Sequence, residues 1–154
     1  MPLCYYCDNE TKGVEMNRDI DIPKGNSREE IKARERIIKS FYSKWIAENP
    51  SKAVWNNALK AYIKVKFISI NETYENAART YESTVAVFML TEILAESRIV
   101  AQGPKKANDK NQKSFSRIYV MRYETIRLIV GFQPSKGDYV QYSITSSLSN
   151  RIKK

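Results

Sequence analysis

Residues 126–145 read IRLIVGFQPSKGDYVQYSIT, and the fold turns on how the two halves of this stretch lie against each other. Ile126, Leu128, Val130 and Phe132 occupy alternate positions, as do Val140, Tyr142 and Ile144, which is the period of a strand with one apolar side. Pairing 132 with 140 brings 130 opposite 142 and 128 opposite 144, and leaves PSKGD as the connection. Pro134 suits the first central position of a turn, and Gly137 supplies a left-handed residue. The spacing therefore predicts a hairpin of strands 126–133 and 139–145. A slip of one residue would send one apolar set into water, so the register is constrained.

The same register assigns the other side of the ribbon. Arg127 faces Thr145, Ile129 faces Ser143, Gly131 faces Gln141, and Gln133 faces Tyr139. That side is polar and nearly free of acid, with Gly131 leaving a notch beside Gln141 through which a ligand or another backbone can approach. A third strand over 117–124 adds Arg117, Tyr119 and Tyr123 to this side. Arginines, tyrosines, hydroxyls and an amide together suit phosphate contacts and base stacking. Ser, Thr, Gln and Arg are equally what a plainly solvated sheet face contains.

Upstream of these strands, GPKKANDKNQKSF carries Lys105, Lys106, Lys110 and Lys113 against Asp109 alone. A Gly-Pro start and two asparagines make it an exposed loop. RIVAQ before it can form a short strand. From Asn71 to Ser97 the chain has no Gly or Pro, and its apolar stripe predicts a helix over about 72–97, bent or broken near ESTV, where Ser, Thr and Val are weak helix formers. The apolar pairs Val54/Trp55, Ala58/Leu59 and Tyr62/Ile63 suggest a helix over about 52–62, while 63–70 fits a strand or a continuing helix. Ser27 with Glu30 is a capping box that opens a helix over about 28–48, which Asn49-Pro50 ends.

The sum is an α+β domain over 27–148, helices first, packed on a C-terminal antiparallel sheet of three to four strands. Residues 1–26 read as a flexible lead-in and 149–154 as a basic tail. Of 154 residues, 42% are hydrophobic, enough for a core, and no apolar run approaches the roughly 20 residues a membrane span needs. Neither a signal segment nor a span is expected, and the cytoplasm is the expected compartment. Cys4 and Cys7 of CYYC have no histidine and no second CxxC to complete a four-ligand zinc site, so no metal and no cofactor is expected.

The net charge is +9, and residues 101–154 hold +8 of it, eleven Lys/Arg against three Asp/Glu. Clustered positive potential favours polyanions, because each phosphate contact releases condensed counterions. Nucleic acid, RNA before DNA, is the expected partner, with Lys105, Lys106, Lys110, Lys113, Arg117, Tyr119, Arg127, Gln141, Ser143 and Thr145 as candidate contacts. The alternative is a non-catalytic interaction or regulatory module that binds a protein or a second copy through a sheet edge.

FSRIYVMRYETIRLIVGFQPSKGDYVQYSIT resembles the ends of small uncharacterised bacterial proteins that close on a VG…QYxIT hairpin. More remotely, helices followed by a basic antiparallel sheet are similar to the barnase, colicin and RelE-like ribonuclease assemblage. That resemblance implies metal-independent RNA cleavage. It transfers no catalytic residue position by position, and there is no histidine to act as base. Lys113, Arg122 and Arg127 are the candidates for such chemistry, the arginines by steadying charge on a phosphorane.

Overall fold

A computed structural model describes residues 21–105 and 112–146. Helix α1, Arg28–Glu48, opens on the expected box: the Glu30 amide donates to Ser27 Oγ at 3.2 Å, and the Ser27 amide donates back to Glu30 Oε1 at 3.3 Å. Asn49 closes it, its Nδ2 donating to the Trp45 carbonyl at 2.9 Å. The buried stripe of α1 is Arg34, Ile38, Tyr42 and Trp45. Arg34 is wholly buried, and its guanidinium spends its donors on carbonyls of Pro23, Gly25, Ala78 and Arg79 at 2.7–3.4 Å. One side chain thus ties the lead-in to a later helix end, where carbonyls lack helical partners.

The expected helix over 52–62 is instead a hairpin, β1 Ala53–Asn56 with β2 Ala61–Lys64. Helical spacing of its apolar pairs was a coincidence of two short strands, each putting one residue of a pair on each side. Asn56 decides the matter from inside the core. Its Oδ1 accepts from the Leu59 amide at 2.9 Å, shaping the turn, and its Nδ2 donates to the Leu94 and Ser97 carbonyls, both at 2.9 Å. Lys52 and Lys60 take left-handed φ of 55° and 56° at the two ends of the hairpin.

Residues 63–70 divide between strand and helix, the chain passing from β2 into α2, Phe67–Ala77. The long helix over 72–97 is broken twice, into α2, α3 (Tyr81–Val87) and α4 (Leu90–Glu96). The breaks fall on either side of ESTV, not within it. Thr80 caps α3 by accepting from the Ser83 amide at 3.1 Å, and Thr84 Oγ1 donates to the Ala77 and Thr80 carbonyls. A threonine able to satisfy a fresh helix start makes a break cheap there.

Strand β3, Arg98–Gly103, precedes β4 (Arg117–Tyr123), β5 (Ile126–Gln133) and β6 (Asp138–Ser146). The sheet has six strands in the order β1-β2-β6-β5-β4-β3, antiparallel except where β2 meets β6 at Ile63–Tyr139 and Lys64–Val140. The α+β class holds, with more strands than expected. Ile63, Met121, Leu128, Val130 and Ile144 are fully buried with Ile38, Leu90, Ile93 and Leu94 of the helices. Among the described residues no helix is long and apolar enough to cross a membrane.

The β5–β6 register agrees with expectation from Arg127–Thr145 to Ile129–Ser143, then shifts by one through a bulge at Tyr142. Beyond it Val130 faces Gln141, Gly131 faces Val140, and Phe132 faces Tyr139. An extra residue in one strand reverses every side chain after it. Gln141 therefore turns to the helices, while Val140 and Tyr142 turn away from them. The connection between the strands is one residue shorter than expected, because Asp138 joins β6 opposite Gln133; within it the amides of Lys136 and Gly137 donate to the Gln133 carbonyl, and Gly137 takes the expected left-handed φ, 68°.

Candidate nucleic-acid interface

The side of the sheet facing away from the main core is not the uniform polar surface that alternation implied. Its middle carries a second cluster of Phe115, Val140 and Tyr142, with Ile68, Ile118 and Ile129 against it. Phe115 meets the Tyr142 ring edge-on at 5.7 Å and occupies the notch at Gly131, where any Cβ would overlap its ring. The expected approach site at Gly131 is thus filled by the chain itself.

Gln141 is likewise withdrawn. It is fully buried, accepting from the Tyr42 hydroxyl at 2.8 Å and donating from Nε2 to Thr73 Oγ1 at 2.6 Å, with Tyr42 and Thr73 oxygens 3.3 Å apart. Three polar groups close a ring in which each has a partner, the condition for keeping them in a core. Burial pushes the Tyr42 hydroxyl far above the ordinary tyrosine range.

Arg117 and Tyr119 fall on the helix side, because Tyr119 pairs with Val130 and Arg117 with Phe132. Tyr119 packs edge-on against Tyr139 at 5.6 Å, and burial, followed by Tyr119, raises the Tyr139 hydroxyl. Arg117 lies exposed at the rim, Nη1 donating to Gln102 Oε1 at 3.2 Å. These three expected contacts, Gln141, Arg117 and Tyr119, therefore stand apart from Arg127.

What the exposed side does bring together is a row of arginines. Arg122 is directly opposite Arg127, and Arg98 is directly opposite Arg122, so three exposed arginines occupy adjacent register positions on β3, β4 and β5. Thr145 continues the row on β6, with Ser143 one step along and both half-buried. Directly opposed residues have Cβ atoms about 4.5–5.5 Å apart, so like charges there oppose folding. Arg98, the first residue of RIVAQ, carries no sign of this role in the sequence, because a short strand there does not reveal that it pairs with β4 and sets Arg98 opposite Arg122.

The described flanks of the lysine stretch, Lys105 and residues 112–114, lie at the other end of this side. Lys113 is exposed, Lys105 Nζ donates to its carbonyl at 3.0 Å, and Ser114 Oγ accepts from Gln133 at 3.0 Å. Lys106 and Lys110 fall outside the described residues, as do Cys4 and Cys7. Gln133 is six residues along β5 from Arg127, about 20 Å at roughly 3.3 Å per residue. Lys113 therefore does not share one phosphate with Arg122 or Arg127, so of the three candidates for cleavage chemistry only the two arginines lie side by side. Near Gln133, Asp138 accepts from Lys64 at 2.9 Å and from Lys66 at 2.8 Å, and these lysines hold its carboxyl below the usual range.

Chemically, the row offers planar, permanently charged donors able to grip phosphate oxygens in pairs. Among the described residues no three acidic or cysteine side chains gather as metal ligands. Comparison of the chain with protein-family models, with curated proteins and with solved structures finds no match.

Proposed function

We propose that this protein is a basic cytoplasmic domain that binds nucleic acid, RNA before DNA, with the arginine row as its principal phosphate contact and the lysine loop as a second. The observation that carries the reading is the direct cross-strand opposition of Arg98, Arg122 and Arg127. Three arginines on one side of adjacent strands concentrate positive charge in a small area, which a polyanion matches. Residues 101–154 carry +8 overall, a bulk charge of the sign a polyanion requires.

The test is fluorescence anisotropy with labelled RNA and DNA between about 50 and 300 mM salt. Three phosphates neutralised on a single strand give a log–log slope near −2, since each contributes about 0.7. Affinity that ignores salt, or an absence of binding, overturns the reading.

A further inference from the structure

We infer that the β1–β2 hairpin is a stacking platform for unpaired bases, which makes the partner a single-stranded nucleic acid. This rests on the nucleic-acid reading above and narrows it to one kind of strand. Trp55 pairs directly with Tyr62, while their neighbours Val54 and Ile63 turn to the core. Both rings therefore project to the same side as the arginine row. They are 44% and 58% exposed and meet edge-to-face at 5.2 Å, and Trp55 Nε1 donates to Asn57 Oδ1 at 3.0 Å. Phe67, just beyond β2, is 76% exposed.

Two large rings fixed in water forgo the favourable burial that such side chains normally obtain. A strand that only needed solvation would carry Thr or Lys there. The charges around them say which occupant fits. Lys52 and Lys60 are exposed at the hairpin's two ends, and Lys64 and Lys66, which share the single carboxylate of Asp138, leave a further positive charge beside it. Aromatic faces among cations are how proteins hold single strands: bases stack on rings while the backbone follows the charge. In a duplex the base faces are already stacked on one another and not available.

The platform and the row are separated but continuous. Ile63 pairs with Tyr139, and Tyr139 with Phe132, so β2 is level with the Gln133 end of β5. The row lies about 20 Å along and two strands, roughly 10 Å, across. A single strand of several nucleotides covers that diagonal, passing Ser114, which meets Gln133, and the adjacent exposed Lys113.

The deciding experiment measures anisotropy with a labelled single-stranded RNA of about 12 nucleotides, the same sequence as DNA, and a blunt duplex, together with tryptophan emission. Single strands should bind at least about tenfold more tightly than duplex and should quench emission. The Trp55→Leu/Tyr62→Leu variant should lose about tenfold or more on single strands and nothing on duplex. Trp45 is buried, so Trp55→Phe should remove the quench while binding persists; this readout decides even if the double variant fails to fold. Quenching by either single strand upholds the platform. Equal binding of single strand and duplex with emission unmoved overturns it and leaves the nucleic-acid reading standing, whereas no binding of any strand overturns both.

Discussion

Two ends of the same exposed sheet side treat positive charge in opposite ways. At the Gln133 end, Lys64 and Lys66 converge on Asp138, so two cations share a carboxylate and help hold β2 beside β6. At the Arg127 end, three arginines hold opposed positions on neighbouring strands. The first arrangement stabilises the fold through opposite charges; the second sets like charges on neighbouring strands, which is the feature the nucleic-acid reading rests on. The comparison separates cations placed against a carboxylate from cations placed against one another, which net charge alone does not.

The largest expected effect breaks the second half of that comparison. Arg98→Gln, Arg122→Gln and Arg127→Gln together should lower single-strand affinity on the order of 100-fold at moderate salt and flatten the salt slope by about 2. The thermal midpoint should stay or rise, because opposed like charges are gone. A falling midpoint with unchanged affinity would show the row to be structural.

Next come two changes that test what lies between and behind the ends. Gly131→Ala forces the Phe115 ring from its seat and should cost about 1–3 kcal/mol in denaturant unfolding, weakening the anchor of the lysine loop. Gln141→Leu leaves Tyr42 and Thr73 short of a partner and should cost about 1–3 kcal/mol. Because Gln141 faces the helices, affinity for nucleic acid should not move; a loss of binding in the folded variant would contradict its placement.

The smallest effect sharpens the first half. Asp138→Asn should cost about 1 kcal/mol or less, as expected for a partly exposed pair, and should raise affinity slightly by releasing Lys64 and Lys66. The pH dependence follows from the lowered Asp138 carboxyl. A depressed folded value means the contribution is complete above the ordinary carboxyl value of 3.8 and is lost as pH falls through the lowered one. Acid unfolding of Asp138→Asn should therefore lack that part of the wild-type decline.

Reading the chain alone went furthest where neighbours in sequence are partners in space. The Ser27–Glu30 box and the Asn49 stop defined α1, and alternation defined β5 to the residue. Local signals failed at 53–64, where Asn56 reaches carbonyls about forty positions away, and at Tyr142, where one added residue reversed the strand beyond it. Of the candidate contacts, Arg127, Ser143 and Thr145 kept the expected side, while Gln141, Arg117 and Tyr119 did not. Arg98 and the Trp55–Tyr62 pair carried no local mark of a site.

Composition and periodicity by themselves determined that this is a basic α+β chain with an apolar hairpin near its end, because charge counts and short-range spacing need no knowledge of distant partners. Strand order, the bulge and the filling of Gly131 by Phe115 were decided only in three dimensions. Side chains acquire neighbours there through packing and hydrogen bonds between residues far apart in sequence, and it is those neighbours that set three arginines abreast.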